Sequence, residues 1–226
     1  MTENFKIINS EQKSVNNLVS IKTICGPMCA GKSAKVIEIV GIFENNRTNY
    51  VCLKPAIDHR VINDNISTEG QIVSRGNTLM AKAIELNIDF TEEVSKKIIN
   101  AYDTFVFDEA QFFELESIKS FIEIAKETGK KVQLIFAGLD MDFMGKKFKT
   151  IDFVSKLSRE VIILRANCSI KGCKNKATHS SKISGDKRQQ VEIGGDDMYK
   201  PTCEEHFKKI LDGASFEFEE RAGLFR

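Results

Sequence analysis

Residues Gly26-Pro27-Met28-Cys29-Ala30-Gly31-Lys32-Ser33 fit the pattern G-x-x-x-x-G-K-[ST]. They lie between a short β-rich apolar run, residues 20–25, and a stretch with helical spacing, residues 32–44, where Val36, Ile37, Val40 and Phe43 share one face. A loop of this kind constrains the fold, because it works only where a strand delivers it and a helix N-terminus carries it onward. The glycines let the backbone curl until its N–H groups face phosphate oxygens. The helix N-terminus adds partial positive charge. Lys32 can reach the outer phosphates, and the Ser33 hydroxyl can ligate Mg²⁺, a hard cation that takes oxygen ligands. Gly26, Pro27, Met28, Cys29, Ala30, Gly31, Lys32 and Ser33 are therefore the candidates for holding a nucleoside triphosphate.

The rest of the chain agrees with this beginning. Residues 50–53, 104–107, 132–137 and 161–164 are apolar runs of strand length that do not alternate. Residues 71–74 give a further short strand. Helices are expected over residues 80–86, 92–102 and 115–128, the last with Ile118, Phe121, Ile122 and Ala125 on one side. Buried strands separated by helices predict an α/β fold with a parallel sheet covered on both faces. Residues 1–19 are polar and read as a flexible arm. The pattern changes near 166, so a nucleotide-binding domain is expected over 20–166, a smaller lobe over 167–213 and a charged tail over 214–226.

The strand at 104–107 ends in Asp108-Glu109. In such a sheet the carboxyl ends of the strands open onto the ligand crevice. Successive side chains on a strand point opposite ways, so the two acids can hold different roles. Asp108 suits the metal shell. Glu109 suits a general base beside the γ-phosphate, serving water or a substrate hydroxyl.

The cysteines complete the chemistry. No apolar leader precedes the core and no stretch is long enough to cross a membrane, so a cytoplasmic, reducing compartment is expected. The six cysteines then read as thiols. Cys168-x4-Cys173 and Cys203-x2-His206 form a Cys3His set, the donor pattern of a closed structural Zn²⁺ site. Cys25, Cys29 and Cys52 read as small buried hydrophobes. His59 and His179 have no comparable partner and read as surface or pocket residues. With 33 basic and 32 acidic residues, the net charge of +1 supplies no broad electrostatic footprint for nucleic acid.

Several segments together resemble the type II thymidine kinases, the tetrameric cellular, poxviral and bacterial family. They are the loop at 26–33, Lys54-Pro-Ala-Ile-Asp58-His59-Arg60, Phe107-Asp-Glu-Ala-Gln111-Phe112-Phe113, Gly138-Leu139-Asp-Met-Asp-Phe143-Met-Gly-Lys-Lys-Phe148, and Ile193-Gly194-Gly195-x3-Tyr199. They run in family order from about residue 20 to about residue 210.

The resemblance implies ATP-dependent phosphorylation of the thymidine 5′-hydroxyl to dTMP, in nucleotide salvage, with Mg²⁺ and a structural zinc. It implies a homotetramer with dTTP as feedback inhibitor, and no nucleic-acid or membrane partner. It assigns Glu109 as the catalytic carboxylate, and Asp58, His59, Arg60, Asp108 and Gln111 to the ATP and magnesium side. Phe112, Leu139, Phe143 and Phe148 become the thymine wall. Gln190, Val191, Glu192, Ile193 and Gly194 become a lasso over the base, and Tyr199 its stacking aromatic. Without the resemblance, Phe112, Phe113 and Phe148 read as core. The sequence departs from the family at Lys147, Ser180, Lys182 and Glu192, and in the x4 spacing of the first cysteine pair. Two rival readings share the phosphate loop. One is an ATPase acting on nucleic acid through the zinc lobe, and the other a nucleotide-binding interaction module without turnover.

Overall fold

A computed structural model describes residues 5–9, 18–56, 61–62, 66–67, 71–74, 80–184 and 198–219. Its centre is a seven-stranded sheet in the order β1-β11-β2-β10-β9-β3-β8. The strands are β1 (Phe5–Asn9), β2 (Val19–Cys25), β3 (Tyr50–Pro55), β8 (Ile84–Leu86), β9 (Thr104–Phe107), β10 (Val132–Gly138) and β11 (Glu160–Leu164). All neighbouring pairs are parallel except β1 with β11. Two hairpins, β4 (Val61–Ile62) with β5 (Ile66–Ser67) and β6 (Gln71–Val73) with β7 (Met80–Lys82), precede β8.

Helices close both faces. Helix α1 (Lys32–Asn45) lays Val36, Val40 and Phe43 against Ile24, Val106, Ile135 and Ile162. On the other face lie α2 (Glu92–Ala101), α3 (Leu115–Glu127) and α4 (Lys149–Leu157). There Ile99, Ile118, Phe121, Ile122, Ile151 and Val154 meet Phe105, Phe107, Leu134 and Phe136. Each such side chain, fully buried, is worth roughly 1.5–3 kcal/mol. Helix α2 starts where it does because Thr91 Oγ1 accepts the Val94 N–H, with Glu92 and Glu93 favourably placed in the first turn.

The parallel register brings the working ends of the strands to one edge. Gly138 pairs with Cys25, and Phe107 lies level with Phe136 and Leu53. The phosphate loop, Asp108-Glu109 and the segment after Gly138 therefore leave the sheet side by side. The smaller lobe consists of β12 (Ala166–Asn167) with β13 (Lys176–Ala177), β14 (His179–Lys182) with β15 (Tyr199–Thr202), and α5 (Glu204–Leu211). None of the described helices is long and apolar enough to cross a membrane.

Two sequence expectations change. Residues 80–86 are not a helix but two short strands. β7 pairs with β6, and β8 becomes an outer strand beside β3, so tertiary pairing overrides local propensity. Part of the expected N-terminal arm, Phe5–Asn9, pairs antiparallel with β11. Of the charged tail, for which the sequence sets no expectation of order, part packs on the lobe: Ile170 bridges to Phe218, and the Glu219 N–H donates to Ser169 O at 2.8 Å.

Candidate active site and metal centre

The phosphate loop is a tight left-handed curl. Gly26 has φ 146°, and a Cβ there would fall 2.3 Å from the Leu164 carbonyl oxygen of β11. Cys29 (φ 63°) and Gly31 (φ 87°) supply the other positive dihedrals before α1 begins at Lys32. Lys32 Nζ donates to Gly26 O at 3.1 Å and Pro27 O at 2.9 Å, so the ammonium folds over its own loop. Burial lowers its pKa, opposed by the charges of Glu109, Asp140 and Asp108. Those three carboxylates come from two other strand ends, which brings the acidic strand end to the phosphate loop.

The acidic end stands on a rigid base. Phe107 stacks on Phe136 at 4.9 Å and meets Phe113 and Phe121 edge-on. Asp108 is buried, and its N–H donates to Leu53 O at 2.9 Å. Glu109 has φ 50°, a left-handed position that an L residue occupies only at a cost of about 1–3 kcal/mol. It opens a single 3-10 turn, Ala110–Phe112. Gln111, buried, donates from Nε2 to Glu109 Oε2 at 2.6 Å and accepts the Leu139 N–H at 3.0 Å.

Beyond Gly138 the chain makes an ordered turn. Asp142 Oδ1 accepts the N–H groups of Met144 and Lys146 at 2.8 and 2.9 Å, and Met141 bridges to Lys147. This presents Phe143, which lies 6.3 Å from Tyr199. The buried Lys182 ammonium stands 4.9 Å from the Phe143 ring centre and 5.9 Å from that of Tyr199, in cation–π range. Leu139 and Phe112 are half-buried at the same edge. Phe148 is half-buried against the main core, and Phe113 is a core residue, as its composition alone suggests. Asp58, His59, Arg60, Gln190, Val191, Glu192, Ile193 and Gly194 lie outside the described residues.

The four expected zinc ligands converge. The donor atoms of Cys168, Cys173, Cys203 and His206 all lie within 4.8 Å of one another. His206 Nδ1 is 3.6 Å from Cys168 Sγ and 3.2 Å from Cys203 Sγ. A tetrahedron with ordinary Zn–S and Zn–N lengths has edges of roughly 3.5–3.8 Å, so the set fits Zn²⁺ with every position a protein ligand. Local structure explains the convergence: Cys203 caps α5, and His206 follows one turn later. Phe216 packs edge-on to His206 at 5.0 Å.

The sequence reading missed how the metal lobe is wired to the rest. Ser180 on β14 accepts the Met28 N–H of the phosphate loop at 2.9 Å. His179 stacks on Phe207 at 4.1 Å, and Phe207 abuts Gly145 of the Asp142 turn. His179 is thus a packing residue whose burial lowers its pKa. Cys25 and Cys52 behave as expected, burial pushing each thiol up to about 12. Cys29 differs: it is only half-buried, on the loop itself.

Comparison with known proteins agrees with this geometry. The family model described as thymidine kinase matches residues 19–207. A thymidine kinase of Mycoplasma mobile is 31% identical over 183 residues, covering 81% of this chain and 84% of that protein. A thymidine kinase of Choristoneura fumiferana entomopoxvirus is 31% identical over 187 residues, covering 82% and 94%. One of Pseudothermotoga lettingae is 29% identical over 187 residues, covering 83% and 94%.

Proposed function

The chain belongs to the thymidine kinase family of enzymes, and from that premise we propose that it transfers the γ-phosphoryl group of ATP to the 5′-hydroxyl of thymidine, giving dTMP and ADP. The observation that carries the reading is the register that brings the loop after β2, the turn after β10 and the acidic end of β9 to one edge of the sheet. A phosphate cradle and a base that lie so close can act on one phosphoryl group.

In this reading the loop at residues 26–33 holds the triphosphate, its N–H donors coming from residues 29–33 because Pro27 has none and Met28 donates to Ser180. Lys32 exchanges its two carbonyl partners for phosphate oxygens. Ser33 and, directly or through water, Asp108 would hold Mg²⁺, which would supply charge neutralisation of the transferring phosphate. Glu109 orients the 5′-hydroxyl and accepts its proton. The O5′–P bond forms, the bond from the γ-phosphorus to the β,γ-bridging oxygen breaks, and the electron pair leaves with ADP. Phosphoryl transfer of this kind is mostly positioning and charge stabilisation. Phe112, Leu139, Phe143, Phe148 and Tyr199 form an apolar wall for the thymine, whose flat, methylated ring suits aromatic contact. Gln190, Val191, Glu192, Ile193 and Gly194 close over the base edge, and Asp58, His59 and Arg60 serve the ATP side.

Residues 20–166 then form the nucleotide-binding domain, and 167–213 the zinc lobe that anchors the closing loop. A cytoplasmic homotetramer working in salvage, inhibited by dTTP, belongs to the same proposal and rests on the family resemblance.

Product analysis tests it. Incubation with ATP and thymidine should yield dTMP phosphorylated at the 5′ position, and 5′-deoxythymidine should yield nothing. ATP hydrolysis to ADP and free phosphate without dTMP would overturn the reading.

A further inference from the structure

We propose that Gln111 is a positioning residue for the Glu109 carboxylate, and that it locks that carboxylate to the segment bearing the nucleoside wall. The proposal rests on the reading of Glu109 as the base. The family resemblance sets Gln111 on the ATP and magnesium side; its hydrogen bonds direct it elsewhere.

The orientation of the amide follows from its partners. A carboxylate only accepts and a backbone N–H only donates. The NH₂ end must therefore face Glu109 Oε2, at 2.6 Å, and the carbonyl end must face the Leu139 N–H, at 3.0 Å. Both strong contacts are committed, and the side chain is 7% exposed. The first is charge-assisted and short, the kind of hydrogen bond that fixes a side chain most firmly.

The need for such a fixture is local. Glu109 sits at a left-handed φ of 50°, where the strand has ended and a single 3-10 turn begins. The backbone fixes where that side chain starts but not where its carboxylate ends. Gln111, at the far end of the same turn, fixes the end. The second contact carries the constraint across the crevice, since Leu139 leads into the Asp142 turn that presents Phe143. Space is reserved for this arrangement: a Cβ at Gly138 would fall 2.5 Å from Gln111 Oε1. Glycine at the end of β10 keeps the amide in place.

Two consequences separate this role from a structural one. Loss of the lock should lower kcat without a matching change in the ATP KM, because the hydrogen bonds of Gln111 run to Glu109 and Leu139 rather than to the phosphate loop. The effect should also pass through Glu109 and vanish when Glu109 is already disabled.

Gln111→Met keeps length and approximate volume and removes both polar ends. On zinc-loaded protein of unchanged Tm, kcat should fall about ten- to a hundredfold, the range carried by a hydrogen bond to a charged group. The ATP KM should stay within about twofold. In a Glu109→Gln background the same substitution should add less than about twofold. Gln111→Asn, one methylene shorter, keeps the polarity and reaches only one partner; it should give an intermediate kcat, and it serves if the Met variant does not fold. Full additivity in the double variant, or a raised ATP KM with kcat unchanged, would overturn the assignment while leaving Glu109 as the base. Wild-type kcat in Glu109→Gln alone would overturn both.

Discussion

Replacing Gly26 by alanine should disable the nucleotide site while sparing the fold. Gly26 has φ 146°, and the added Cβ would lie 2.3 Å from the Leu164 carbonyl oxygen. Ordinary van der Waals contact begins at 3.4 Å, so the loop and the end of β11 must part by 1.1 Å, the difference between the two. Holding an L residue at such a dihedral costs about 1–3 kcal/mol as well. The damage falls at the base of the curl that aims the N–H groups of residues 29–33. A displacement of about 1 Å in a positioning element is worth about 10² in rate. The Gly26→Ala variant should therefore show kcat/KM for ATP reduced about a hundredfold or more. Its thymidine KM should move by less than about twofold, the bound expected for a site with no shared partner. The assay is ADP release against ATP concentration at saturating thymidine, paired with a thermal melt. A folded Gly26→Ala protein with wild-type kcat/KM for ATP would refute the claim that this curl, in this conformation, is the phosphate cradle.

Three other changes probe the remaining parts. Glu109→Gln should keep ATP binding and lower kcat by about 10²-fold, the lower end for a lost general base because the transition state is loose; steady-state kinetics beside an ATP-binding titration decides it, and unchanged turnover removes Glu109 from the chemistry. Ser180→Ala leaves the Met28 N–H without its partner and should raise the ATP KM about 2- to 10-fold, the worth of one ordinary hydrogen bond; an unchanged ATP KM shows that β14 does not hold the loop. Metal analysis should find one zinc per chain, and Cys203→Ser should weaken its retention at least about 10- to 100-fold and raise the thymidine KM before the ATP KM, since Phe207 beside His206 braces the Gly145 turn; a zinc-free native protein, or an unmoved thymidine KM after zinc loss, contradicts this.

What the sequence made legible was contiguous. The phosphate loop, the Asp108-Glu109 strand end and the two ligand pairs each sit in a short window whose residue types have one chemical use. The core strands were legible for the same reason, as unbroken apolar runs. Contacts between distant segments were not. Ser180 and Met28 are 152 residues apart, and no local pattern announces their hydrogen bond. Lys182 stands out in the sequence only as a departure from the family pattern; β14 and β15 set it over Phe143 and Tyr199. The 80–86 segment looked helical because its residues tolerate a helix; β3 and β6 supply edges that pair with it instead. Helix α4, Lys149–Leu157, follows the Asp142 turn closely and was not separated from it in the sequence. Gln111 enters the sequence reading only through the family resemblance; the 2.6 Å and 3.0 Å contacts on its two ends depend on the fold.

The central claim is that a nucleoside, and not a polynucleotide, is the phosphoryl acceptor. It is tested most directly by measuring ADP release with thymidine, with deoxycytidine and with single-stranded DNA, the last at two salt concentrations. The net charge of +1 offers little of the attraction that drives salt-dependent binding to a polyanion. The Phe143–Tyr199 pair suits one base better than a track of stacked bases. Thymidine should stimulate ADP release strongly and stoichiometrically with dTMP, deoxycytidine weakly, and DNA not at all at either salt. Strong stimulation by DNA that fades with salt, with none by thymidine, would contradict the account and favour an ATPase acting on nucleic acid.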